Sequence, residues 1–71
     1  MIALTPQQHR CVELMSAGLT DREIAEQIGA GVGTVKAHLM RLRDRTGARN
    51  RVELAIMYVR GVLVAPAEAQ Q

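Results

Sequence analysis

Residues 20–39 read TDREIAEQIGAGVGTVKAHL, and the spacing of their small and apolar residues decides the fold. Ala25, Gly29 and Val35 stand four and then six residues apart. Ala25 is small where one helix must cross another closely. Gly29 tolerates the positive φ of a tight turn, and Val35 fills the crook from the second helix. Ile24 and Ile28, one turn apart, give the first of these helices its buried stripe. Two short helices meeting steeply at a glycine turn predict a helix-turn-helix, the motif that lays its second helix in the DNA major groove. The competing reading of the spacing alone is an ordinary helical hairpin in a small bundle.

At 71 residues the chain is one domain near the lower size limit for a self-sufficient core. Its apolar content of 48% is almost wholly aliphatic, and Tyr58 is the only aromatic residue. Stacking on unpaired bases or on a flat cofactor has little to use, so no cofactor is expected. The aliphatic, helix-forming composition predicts an all-α fold. No apolar run approaches a membrane span, and the opening MIALTPQQHR lacks the segments of a signal peptide. A cytoplasmic location without a membrane partner is the expectation. Cys11, the single cysteine, makes no zinc-ligand spacing with His9 and His38. Lying on the apolar side of a helix, it reads as a buried structural thiol. Two histidines, one cysteine and scattered carboxylates supply no nucleophile and base pair, which argues against an enzyme.

The net charge of +2 conceals an asymmetry. Residues 1–35 carry two basic groups against four acidic ones, whereas residues 36–51 carry six basic groups against Asp44 alone. A one-signed stripe confined to one helix and the loop after it is the electrostatic footprint of a polyanion partner. A merely solvated helix face would mix both signs.

Four helices are predicted within a domain spanning 1–64, followed by a disordered tail over 65–71. Thr5 with Pro6 and Gln8 begins the first helix, and Gly18 ends it. Thr20 with Glu23 begins the second, which runs to Gly29. The third covers Val32 to Thr46. Asn50, with Glu53 in the capping-box position, begins a fourth expected to continue through VELAIMYVRGVLV.

At 100° per residue, Val35, Leu39, Leu42 and Thr46 of the third helix cluster within about 60°. The opposite face carries Gly33, Ala37, Met40, Asp44 and, to one side, Arg41, with Thr34 and Lys36 on its edges. Small residues such as Gly33 and Ala37 let a backbone sit close to a surface, and Ala37 and Met40 suit thymine methyl groups. Lys36 reaches guanine acceptors, while Arg41, Arg43 and Arg45 reach phosphates. Gly31 brings no side-chain cap. Either it caps acceptably by itself or it leaves the first amides free for a phosphate.

The fourth helix is apolar on too many sides for a monomer's surface helix. Val52, Ala55, Ile56, Val59 and Leu63 form one stripe, expected to face the core. Leu54, Met57, Tyr58, Gly61 and Val62 form a second, which reads as a homodimer surface or as imperfect patterning.

Taken together, LTP at 4–6, AGLTDREIAEQIG at 17–29, GTVKAHL at 33–39 and GARNRVELA at 47–55 resemble the LuxR-type (GerE-type) helix-turn-helix family of bacterial transcription regulators. The resemblance implies base contacts from Lys36, Ala37 and Met40. It further implies phosphate contacts from Thr20, Thr34, Arg49, Asn50 and Arg51, and a symmetric dimer through the fourth helix. The chain departs from the family pattern at Gln8, usually Glu, and at Ala30, usually a large aliphatic. Gly31 replaces Ser or Thr, and Arg43 and Thr46 replace apolar residues. Members usually carry a receiver or ligand-binding domain ahead of this module, and a form without one is expected here. The implied activity is sequence-specific regulation of transcription on double-stranded DNA as a homodimer. The alternative is a small protein that disables full-length LuxR-type regulators through its C-terminal helix. Other regulators of the family and RNA polymerase are the remaining candidate partners.

Overall fold

The computed structural model describes residues 1–66. Its elements are β1 (Ile2–Ala3), α1 (Pro6–Ser16), α2 (Asp21–Ile28), α3 (Val32–Thr46), α4 (Arg51–Val59) and β2 (Leu63–Val64). Among the described residues the fold is all-α with four helices, to which the two short strands add one parallel pair, Ile2 against Leu63 and Ala3 against Val64.

The helix starts follow from local chemistry. The Thr5 hydroxyl accepts the Gln8 N–H at 3.2 Å and the Gln8 side chain accepts the Thr5 N–H at 3.1 Å. Thr20 and Glu23 repeat the exchange at 3.2 and 2.9 Å. Such caps contribute about 1 kcal/mol each by satisfying amides that the helix leaves open. Gly29 closes α2 with φ of 71°, a conformation a side chain would strain, and its N–H donates to the Ala25 carbonyl. Gly31 begins α3 with no side-chain acceptor.

One core joins all four helices. Cys11, Val12 and Met15 of α1 meet Ile24 and Ala25 of α2, Val35, Leu39 and Leu42 of α3, and Leu54 of α4. Leu4 and Leu63 close it at the strand pair. Ala25 of α2 and Val35 of α3 are both buried in this core, where their spacing predicted close packing. Thr46 is half-buried with its hydroxyl donating to the Leu42 carbonyl at 2.7 Å, so a polar group on the inward stripe is satisfied.

Two expectations for the fourth helix are corrected. It ends at Val59 rather than running on to Val64, because Gly61 adopts φ of 79° and turns the chain. The following residues become β2, with the Ile2 N–H donating to the Val62 carbonyl at 2.6 Å. The inward and outward stripes are also exchanged. Leu54 is fully buried, whereas Val52, Ile56 and Val59 are 64%, 47% and 76% exposed. Met57 and Tyr58 are half-buried and pack against the core. Tyr58 lies on α1, its hydroxyl 3.4 Å from His9 Nε2. Of the residues expected inside, Leu63 is buried and Ala55 half-buried. The physical reason is that the bulkier face of α4 fills the space between α1 and α3. Residues 67–71 of the expected tail lie outside the described residues.

Candidate nucleic-acid interface

Helix α3 buries Val35, Leu39 and Leu42 and turns the rest of its length outward. Gly33, Thr34, Lys36, Met40, Arg41 and Arg45 are exposed, and Ala37 is half-buried. Met40 stands 61% exposed, well separated in sequence from the exposed apolar residues of α4. A Cβ built on Gly33 would meet nothing within 4 Å, so the fold itself has no need of a glycine there.

The tertiary structure brings the start of α4 beside this face. Lys36 and Met40 of α3 line one hollow of about 410 Å³ together with Asn50 and Arg51. Asp21, next to Thr20 at the start of α2, lines the same hollow. Arg51 reaches Asp21 across it, Nη2 to Oδ1 at 3.2 Å. Of the expected contact residues, Lys36 and Met40 of α3 thus meet Asn50 and Arg51 from the start of α4 around this one hollow.

Side chains order the loop between α3 and α4. The Asn50 side-chain oxygen accepts the Glu53 N–H at 2.9 Å, which leaves its amide N–H groups for an outside acceptor. Glu53 does not return the bond to Asn50 as a capping box would. Its carboxylate accepts the Arg49 backbone N–H at 2.7 Å and the Arg49 Nε–H at 3.0 Å. These bonds hold the Glu53 carboxyl below the usual carboxylate range, the guanidinium bond first and the backbone bond next. Arg43 donates to the Arg49 carbonyl at 2.6 Å, and thus serves the loop as well as adding positive charge.

Sequence reasoning overlooked Asp21 and the Glu53–Arg49 contact. The second has a visible signal in the sequence, a Glu four residues after an Arg, at a position that equally suits a cap. The set expected at a dimer surface is redistributed as well. Leu54 is in the core, Met57, Tyr58 and Val62 are half-buried, and Gly61 sits in the closing turn. The outward apolar face of α4 instead lines a groove of about 510 Å³ with Met15, Val52, Ala55, Ile56 and Val59, flanked by Arg51 and Arg60. Among the described residues no cluster of His, Cys, Asp and Glu could hold a metal ion, and no helix is long and apolar enough to cross a membrane.

A capped helix that ends at the glycine turn of Gly29, followed by a second helix with an exposed basic face, defines a helix-turn-helix domain. Residues 3–58 match the family described as bacterial regulatory proteins, luxR family, and the chain belongs to that family. It is 34% identical over 55 residues to the putative HTH-type transcriptional regulator YhjB of Escherichia coli (strain K12), covering 78% of this chain and 28% of that protein. It is 38% identical over 50 residues to the response regulator Rre1 of Synechocystis, covering 70% of this chain and 22% of that protein. The C4-dicarboxylate transport transcriptional regulatory protein DctR of Rhodobacter capsulatus is 43% identical over 44 residues, 62% of this chain and 22% of that protein. The chain thus spans about a quarter of the length of these relatives. No solved structure matches it significantly.

Proposed function

We propose that this chain is a sequence-specific, double-stranded DNA-binding regulator of transcription that acts as a homodimer. The observation that carries the reading is the convergence of Lys36 and Met40 with Asn50 and Arg51 around one exposed basic hollow. Helix α3 enters the major groove. Lys36 donates to guanine acceptors, and Ala37 and Met40 lie against base edges. Thr20, Thr34, Arg41, Arg45, Arg49, Asn50 and Arg51 hold the phosphates on either side, and Gly33 lets the helix approach closely. A lysine on a base is worth about 1–3 kcal/mol of discrimination. Binding of Lys36→Ala to a site selected from random duplexes, compared with a scrambled duplex, tests the assignment. The preference should collapse, and an unchanged ratio would remove Lys36 from base reading.

The homodimer rests on the corrected face of α4. Val52, Ile56 and Val59 form an exposed apolar patch that suits a two-fold contact between identical helices, with paired half-sites about one helical turn apart. Ile56→Glu places like charges across that axis and should give a folded monomer by sedimentation and circular dichroism. The same groove gives the inhibitor of full-length regulators its one favourable observation. That second reading requires the α4 face but neither Lys36 nor Arg49, so a salt-sensitive shift of duplex DNA separates the two.

A further inference from the structure

Arg49 is held unusually firmly for an exposed loop residue. Its backbone N–H donates to Glu53 Oε1 at 2.7 Å, and its carbonyl accepts from Arg43 Nη2 at 2.6 Å. Its side chain is tied by Nε to Glu53 Oε2 at 3.0 Å and by Nη2 to the same oxygen at 2.9 Å. Nevertheless that side chain remains 85% exposed. Both backbone groups and the Nε–Nη2 edge of the guanidinium are fixed from within the chain, while the side chain as a whole stays open to solvent.

We infer that Glu53 and Arg43 are positioning residues that pre-order Arg49 as a phosphate anchor, an inference that rests on the DNA-binding reading above. A free arginine loses rotamer freedom when it docks on a phosphate, and ordering it beforehand removes much of that cost. The carboxylate looks out of place on a surface meant for a polyanion, since alone it would repel phosphates. The geometry accounts for it. Glu53 spends its charge on the Arg49 amide and guanidinium, and the guanidinium N–H groups it does not engage, on a side chain 85% exposed, are left for a second anion. Arg43 closes the clamp from α3, which couples the loop to the helix that reads bases. One of the two positions where the chain carries a polar residue in place of the family's apolar one within α3 thereby gains a task.

Charge alone and positioning predict opposite signs for Glu53→Ala. Removing a negative group near DNA should tighten binding on charge alone. If Glu53 positions Arg49, binding weakens by roughly five- to tenfold. The measurement is affinity for a short duplex of arbitrary sequence at low salt, because phosphate contacts are independent of sequence. Glu53→Ala and Arg43→Met should each weaken binding in the native background. Each should change it less than about twofold when Arg49→Ala is already present. Glu53→Gln keeps an acceptor for the Arg49 N–H and should fall between native and Glu53→Ala; it also serves if Glu53→Ala fails to fold by circular dichroism. Tighter binding by Glu53→Ala or Glu53→Gln, or losses that simply multiply with that of Arg49→Ala, overturns the positioning role while leaving DNA binding intact. Absence of duplex binding by the unsubstituted chain overturns the DNA reading and this inference with it.

Discussion

Replacing Leu54 by alanine tests which way α4 faces. Leu54 is fully buried between α1 and α3 and belongs to the main core cluster. Cutting its isobutyl group to a methyl loses the transfer free energy of the deleted carbons and leaves a cavity, together about 2.5–4 kcal/mol at a closed site. A 71-residue domain has about 4–11 kcal/mol of stability in total. Leu54→Ala should therefore remove a large fraction of it and lower the melting temperature by about 10–25 °C. Val59→Ala deletes a side chain of the same class one face away. Val59 is 76% exposed, so its loss should stay within about 0.5 kcal/mol. Thermal and urea unfolding followed by circular dichroism, on samples dilute enough to be monomeric, measures both. Dilution matters because a dimer contact at Val59 would add its own stability. If Val59→Ala proves as costly as Leu54→Ala, or Leu54→Ala melts within a few degrees of the native chain, then the orientation of α4 argued above is wrong.

Three further outcomes are expected. Gly33→Ala should leave stability unchanged or raise it by up to about 1 kcal/mol, because a Cβ there meets nothing and alanine is the better helix former, yet it should weaken DNA binding by preventing close approach. Thermal melts paired with duplex titrations check it, and a variant that binds as well as the native chain sinks the close-approach role. Stability should fall as pH drops below the ordinary glutamate value of about 4.3. Glu23 is held low by the Thr20 backbone N–H, and Glu53 by Arg49. Carboxyls depressed in the folded state stabilise it above their unfolded pKa and lose that effect as they protonate. Melts from neutral to acid pH should therefore be flatter for Glu23→Gln combined with Glu53→Gln than for the native chain, and parallel curves would contradict the linkage. Cys11 is fully buried, and burial, with the nearby Asp21 charge, pushes its thiol pKa up. An aromatic disulfide reagent should hence react with it only after denaturation; rapid labelling of the native chain would show that α1 opens locally.

Much of the fold was legible because its determinants are local. Thr5 with Gln8, Thr20 with Glu23 and Asn50 mark three helix starts by side-chain bonds that span three residues, and Gly29 and Gly47 mark two ends by backbone conformation. The inward stripe of α3 could be read from a wheel because Val35, Leu39 and Leu42 gather the large branched aliphatics of the helix's middle turns on one side. The basic run from Lys36 to Arg51 likewise needed only counting. What the chain alone could not reveal were the choices made between distant residues. Helix α4 has two apolar faces, and periodicity ranks neither. Only the shape of the space between α1 and α3 puts Leu54 inside and Val52, Ile56 and Val59 outside. Gly61 is compatible with a helix pattern until Ile2 and Leu4, some sixty residues earlier, offer backbone groups to Val62 and Val64. The partnership of Arg51 with Asp21 joins the starts of two helices thirty residues apart. Caps and stripes are short-range and written into neighbouring residues, whereas helix rotation, strand pairing and the convergence of the hollow are settled by packing.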